Sequence, residues 1–296
     1  MNNKTYIGSF APSPTGPLHY GTMIAAIASF LQARAHRGQW IVRIEDVDTL
    51  RRVEGADTQI LKTLETFAMH WDGEVVYQSQ RTRLYEHALS ALKNKHLIYP
   101  CTCSRKQLLE ETGTASAIYP GTCKQMTDWS GDDYSIRLKV PDETIAFNDA
   151  VYAAQQQNLA HEVGDFVIKR RDGLFAYQLA VVVDDAEQKI TEVVRGADLL
   201  DSTARQIYIQ RCLGYTRPDY LHLPLAIDKS GSKLSKLTGA AAMTEKDPCT
   251  SIISILKFLG QDVPPELDQA SLTELWQYAI EHWNPDSIPM TNRQVG

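Results

Sequence analysis

Over the first hundred residues the apolar positions fall in short blocks whose period switches between strand-like and helical. Residues 6–10 predict a buried strand, broken by Pro12-Ser13-Pro14-Thr15-Gly16-Pro17. Residues 22–37 then carry small and apolar side chains at helical spacing, stopped by Gly38. Residues 40–44 predict a second strand, and 56–67 and 82–94 predict helices that are apolar along one face. Such alternation predicts an α/β fold in which helices cover a parallel sheet. Between residues 99 and 134 the pattern changes, and three of the five cysteines fall among Gly, Pro, Ser and Thr as in an insertion. Beyond it, 135–140 predicts regular structure, and 165–169 and 174–183 predict a hairpin turning at Asp172-Gly173. A short strand at 191–195, a helix at 202–213, a strand at 221–227 and a polar loop at 229–238 follow. Residues 252–259 and 272–283 predict two helices joined by a Pro-Pro turn, and the chain shows no internal repeat.

A length of 296 residues gives a prior of about two domains. Hydrophobic residues make up 43% and charged residues 22%, and no apolar run approaches the roughly 18 residues that cross a bilayer. This excludes an integral helical membrane protein. The start lacks the basic flank and apolar stretch of a signal peptide, so a cytoplasmic protein is expected. The net charge of −6 speaks against a protein that coats nucleic acid by bulk electrostatics. From residue 238 onward, however, there are three basic and eight acidic residues, so most of that charge lies in the last helices and the rest is nearly neutral.

Three segments carry candidate chemistry. Pro12 to Thr22, between a strand and a helix, holds His19 and Gly21. A helix start presents unpaired N–H groups and positive potential to phosphate, and His19 can donate as charge grows on it. The same residues also read as a Pro-rich turn capping a helix. Lys233-Leu234-Ser235-Lys236 places two ammonium groups on a loop, a pattern that suits a triphosphate and that alone is usually solvated surface. Cys101, Cys103 and Cys123 offer soft ligands to a structural zinc, although three cysteines leave the fourth ligand open.

Taken together these blocks resemble the class I aminoacyl-tRNA synthetases of the glutamyl type. His19-Tyr20-Gly21-Thr22 matches the HIGH signature and Lys233-Leu234-Ser235-Lys236-Leu237 the KMSKS signature. Phe10 to Gly16, Arg43-Ile44-Glu45-Asp46 and Arg195-Gly196-Ala197-Asp198-Leu199 match further glutamyl-type blocks in order. Only about sixty residues follow the lysine loop, where full glutamyl-tRNA synthetases continue into an anticodon-binding domain. The chain therefore resembles the short paralogues that attach glutamate to queuosine in the anticodon loop of tRNA(Asp), and Arg170 to Tyr177 is also typical of them.

The resemblance implies a Rossmann-type doubly wound sheet with a zinc-containing insertion and a short helical C-terminal region. Its divisions would be a first catalytic half at 1–98, a zinc-binding insertion at 99–134, the rest of the insertion and the second catalytic half with the lysine loop at 135–237, and a helical region at 238–296, with no anticodon-binding domain. It assigns glutamate to Ser9, Phe10, Ala11, Pro12, Ser13, Glu45, Tyr177 and Arg195. ATP, with magnesium, falls to His19, Gly21, Lys233 and Lys236, of which His19 and Lys236 are catalytic. It adds Tyr119 to Cys101, Cys103 and Cys123 on the zinc. The implied partners are ATP, L-glutamate and queuosine-bearing tRNA(Asp), the implied state a monomer. As rivals stand a truncated synthetase charging the tRNA 3′ end and a noncatalytic RNA-binding paralogue.

One position departs from the family. The residue before Phe-Ala-Pro-Ser-Pro is normally an arginine that contacts glutamate, and here it is Ser9. Three readings are open: glutamate is held weakly, another arginine such as Arg43, Arg195 or Arg205 takes over, or the chain carries an engineered substitution.

Overall fold

In the computed structural model, which describes residues 5–113, 118–228 and 247–294, the first apolar run forms β1 (Ile7–Phe10). Helix α1 (Tyr20–Ala35) carries the chain back to β2 (Gln39–Ile44), parallel to β1 with Ser9 beside Ile41. A parallel return requires a crossover, and α1 supplies it. After α2 (Ala56–Thr66), β3 (Val76–Tyr77) adds to β2, again parallel, and α3 (Thr82–Asn94) follows as predicted.

The inserted region is more regular than its composition suggests. β4 (Ile98–Cys101), α4 (Arg105–Thr112) and β5 (Ser135–Leu138) precede a hairpin of β6 (Thr144–Asp149) and β7 (Ala153–Asn158). A short α5 (Leu159–Glu162) leads to β8 (Phe166–Lys169), and β4, β5 and β8 form an antiparallel sheet in that order.

The hairpin expected from 165–169 and 174–183 does not form. Lys169 and Phe175 make one isolated bridge, and the chain then enters α6 (Tyr177–Glu187). Residues 179–185 are buried throughout, so neither a period of two nor one of 3.6 is visible in the sequence. Next come β9 (Glu192–Gly196), α7 (Thr203–Leu213) and β10 (Asp219–Leu223), which pairs parallel to β9. The strand expected at 221–227 is split at Pro224 into β10 and β11 (Ala226–Ile227). Helix α8 (Pro248–Phe258) is capped by the Asp247 side chain, and α9 (Leu272–Glu281) opens with a Ser271/Glu274 capping box. β12 (Arg293–Gln294) pairs with β11.

β1 has β2 on one side and β9 on the other, where Thr191 N donates to Ile7 O at 2.9 Å. Two apolar clusters hold the elements. One joins α1, β2, α8 and α9; the other joins α3, β5, β8, α6 and α7.

Candidate active site

Neighbouring strands of a doubly wound sheet diverge beyond their carboxyl ends where the chain leaves in opposite directions, and a crevice opens there. β1 and β9 flank such a point. A cavity of about 560 Å³ lies at the ends of β1, β2, β9 and β10 and takes in Ser9, Phe10, Ala11, Pro12, Ser13, His19, Gly21, Glu45, Tyr177 and Arg195. All the candidate residues for glutamate, and both described candidates for ATP, thus line one space. Lys233 and Lys236 lie outside the described residues.

Gly16, with φ of 131°, lets the Pro-rich loop turn in a conformation that side chains disfavour. His19 is the N-cap of α1: its Nδ1 accepts from Thr22 N at 3.4 Å, and its Nε2 lies 2.9 Å from Thr22 Oγ1. The other wall is α6. Tyr177, Val181 and Asp185 recur every four residues and share one helical face on the cavity. Tyr177 therefore opens a helix, contrary to its expected place in a strand.

Charge is concentrated on the floor. Arg43, 1% exposed, places Nη2 at 2.9 Å from Asp185 Oδ1 and 3.6 Å from Glu45 Oε1, while Nη1 donates to Gln188 Oε1 at 2.7 Å. Behind it Asp184 accepts from Arg81 Nε at 2.6 Å, Gln78 Nε2 at 2.7 Å and the Tyr85 hydroxyl at 2.9 Å. Glu45 Oε1 has no hydrogen-bond donor among the described residues. Burial, opposed by Arg43 and reinforced by Asp185 and Asp184, pushes the Glu45 carboxyl up to about 7. Burial and then the Glu45 charge raise the Tyr177 phenol, which stays protonated. A buried acceptor of this kind suits a cationic ligand group such as an ammonium.

The three arginines that could stand in for the cation missing at Ser9 have defined surroundings. Arg43 is committed to Asp185, Glu45 and Gln188, and Arg195 makes four hydrogen bonds inside the protein. Arg205 lies on α7 against Ser202 and does not line the cavity. Of the three, Arg43 and Arg195 line the cavity with most of their donors already used inside the protein, and the Ser9 hydroxyl makes no hydrogen bond to another described residue. Asp185 escaped the sequence reading although a signal was present: two adjacent carboxylates, Asp184-Asp185, end an apolar run.

A second cluster lies in the insertion. The Cys101, Cys103 and Cys123 sulfurs all fall within 4.8 Å of one another. The Tyr119 hydroxyl is 3.4 Å from Cys101 Sγ and 3.7 Å from Cys103 Sγ, and it accepts from Cys123 N at 2.8 Å. Zinc with bonds of about 2.3 Å to sulfur holds tetrahedral ligands roughly 3.8 Å apart, so this donor set fits the ion. Arg137 donates Nε to Cys101 Sγ at 3.2 Å and lies 3.7 Å above the Tyr119 ring, placing positive charge beside the sulfurs. Cys212 and Cys249 lie outside the cluster, on α7 and α8. Arg171 donates to Thr102 O and Arg170 to Asp48 Oδ2 at 2.9 Å, so the basic turn after β8 is tied to both the cysteine loop and the loop after β2.

A parallel sheet with a histidine-started helix and a charged crevice at its strand ends is the catalytic architecture of class I aminoacyl-tRNA synthetases. Residues 8–281 match the family described as tRNA synthetases class I (E and Q), catalytic domain. The glutamyl-Q tRNA(Asp) synthetase of Dechloromonas aromatica (strain RCB) is 50% identical over 292 residues, 97% of each chain. That of Aromatoleum aromaticum is 48% identical over 286 residues, 96% of this chain and 90% of the other. The crystal structure of glutamate-tRNA synthetase from Elizabethkingia anophelis superposes with a TM-score of 0.84 at 25% identity, over 99% of this chain and 68% of that one. The chain belongs to the glutamyl-Q tRNA(Asp) synthetase family of class I ligases.

Proposed function

We propose that this protein activates L-glutamate with ATP and transfers it to queuosine in the anticodon loop of tRNA(Asp). The observation that carries the reading is the convergence of Ser9 to Ser13, His19, Glu45, Tyr177 and Arg195 on one cavity at the strand ends. Identity of about half to the glutamyl-Q relatives, against a quarter to a glutamate-tRNA synthetase, supports the choice of RNA.

In this reading Glu45 receives the substrate ammonium, and the Tyr177 hydroxyl and the Arg195 guanidinium meet its carboxylates. ATP, entering as its magnesium salt, sets its phosphates at the start of α1 beside His19 and Gly21. Lys233 and Lys236 are assigned to the same phosphates. The substrate α-carboxylate attacks the α-phosphorus, pyrophosphate leaves, and glutamyl-adenylate remains. His19 and Lys236 stabilise charge on the phosphates with no covalent bond to the enzyme. A queuosine hydroxyl then attacks the adenylate carbonyl and AMP departs.

The same proposal divides the chain at 98, 134 and 237 into two catalytic halves, an insertion and a helical region. Zinc on Cys101, Cys103, Tyr119 and Cys123 staples the insertion, a structural task with no part in the chemistry. The insertion and Lys169 to Arg171 hold the RNA stem-loop of a monomeric, cytoplasmic enzyme. Among the described residues no helix is long and apolar enough to cross a membrane.

Glutamate-dependent ATP–pyrophosphate exchange, followed by transfer to queuosine-containing tRNA(Asp), tests the reading. Unmodified tRNA(Asp) and tRNA(Glu) should accept nothing. Charging of tRNA(Glu) would favour a synthetase acting on the 3′ end, and absence of exchange would favour the noncatalytic reading that Ser9 raises.

A further inference from the structure

Arg195 is fixed by a chain of buried polar groups that reaches away from the cavity. His222, fully buried on β10, pairs with Arg195 in register across the β9/β10 ladder. Its Nε2 lies 3.0 Å from Arg195 Nε, and its Nδ1 lies 2.6 Å from Asp149 Oδ2 at the end of β6. A guanidinium N–H can only donate, so His222 Nε2 must be the bare nitrogen and Nδ1 must carry the proton. Asp149, 4% exposed, is held in turn by the N–H groups of Val151 and Tyr152 on Oδ1 and of His222 on Oδ2. Arg195 Nη1 donates to Gln206 Oε1 at 2.7 Å, and Nη2 to Thr203 Oγ1 at 3.0 Å and Leu199 O at 3.3 Å. His222 is thus the contact that sets Nε, the edge of the guanidinium nearest the strand.

We propose that His222 and Asp149 are positioning residues: Asp149 fixes the tautomer of His222, which aligns the Arg195 guanidinium in the amino-acid cavity. The carboxylate, the neutral imidazole and the guanidinium form one directed series of N–H bonds, with every proton pointing away from Arg195. Burial, stronger here than the pull of Asp149, lowers the histidine pKa and keeps the ring neutral, as the series requires. The assignment rests on the proposed role of Arg195 toward glutamate.

The two ring nitrogens can be separated by substitution. A glutamine amide reaches the place of Nε2 and an asparagine amide the place of Nδ1. His222→Gln should keep an acceptor for Arg195, with glutamate KM within about threefold of the unaltered protein. His222→Asn keeps the Asp149 contact and loses the acceptor, and its glutamate KM should rise about tenfold or more, while ATP KM and kcat move by less than about threefold. Asp149→Asn adds a test of tautomer. Val151 and Tyr152 hold its amide oxygen at the Oδ1 place, so its NH₂ faces His222 Nδ1 and drives the proton to Nε2, against Arg195. Nitrogen-15 NMR of the labelled protein should show the proton on Nδ1 in the unaltered chain and on Nε2 in Asp149→Asn.

Equal glutamate KM in the glutamine and asparagine variants, or a proton on Nε2 in the unaltered chain, would overturn the proposal. The NMR readout is independent of catalysis. Failure of exchange in the unaltered protein, with its proton on Nδ1, would therefore count against the functional reading and leave the alignment standing.

Discussion

At the scale of single residues, Ser9 lines the cavity at the position where the resemblance leads one to expect an arginine. Arg43 and Arg195 on the same cavity already hold protein partners, so on the proposed reading glutamate meets Arg195 without the second cation that an arginine at position 9 would add. Such a partner contributes about 1.5 to 3 kcal/mol. Ser9→Arg should therefore lower the glutamate KM by about tenfold or more with little change in kcat, and an unchanged KM would remove Ser9 from the amino-acid site. Glu45 gives a second prediction. Its carboxyl, raised to about 7 from an ordinary 4.5, favours the protonated form in the folded protein. This contribution to stability is full below about pH 4.5 and is lost as pH rises through about 7. Substrate binding needs the ionised form, so glutamate KM should fall by about tenfold per pH unit up to pH 7 and then level off. In Glu45→Gln the profile should be flat; a slope that survives the substitution would place the titrating group elsewhere. Most residues on this cavity were legible through the short blocks that resemble glutamyl-type synthetases, since a pattern of polar and apolar positions alone does not single out Glu45 or Tyr177. Asp149 and His222 were not, since nothing in sequence signals that residues 73 positions apart share a proton.

At the scale of elements, amphipathic stretches were read correctly and uniformly buried ones were not. Residues 82–94 alternate faces and form α3 at the predicted bounds. Leu174 to Val183 has no polar face because α6 is covered by the second apolar cluster, and its β-branched valines favoured a strand. The β6/β7 hairpin escaped for the opposite reason: β7, two alanines followed by Gln155, Gln156, Gln157 and Asn158, has no large apolar residue and gives no period. The cysteine loop was visible as a composition change, whereas its flanking strands β4 and β5 were hidden by the 33 residues between them. If the cluster holds zinc, the purified protein should contain about one equivalent. Cys123→Ser should fall well below that and lose thermal stability, and unchanged metal content would remove Cys123 from the ligands.

At the scale of the whole molecule, the acidic last helices form part of the central core. α8 and α9 supply Ile252, Ile255, Leu256, Leu275 and Trp276 to the cluster around α1. Trp276 packs edge-on against Phe30 at 4.9 Å and donates to Phe67 O at 2.8 Å. Trp276→Ala should cost about 3 to 5 kcal/mol in urea unfolding, and a loss below 1 kcal/mol would mean that these helices are loosely attached. The carboxylates of Asp262, Glu266, Asp268, Glu274, Glu281 and Asp286 remain exposed, so a polyanion is steered from this face toward the nearly neutral rest. The junction of β1 with β9 has a different consequence. Because β9 and β10 serve both apolar clusters, Val194 and Leu221 on one and Val193 and Tyr220 on the other, the Thr191 amide at that junction sits where the packing of both meets β1. Substrates filling the crevice would brace the strand ends that both clusters share. The exchange of that amide with deuterated solvent should slow when glutamate and ATP are both present, while amides inside α1 keep their rates.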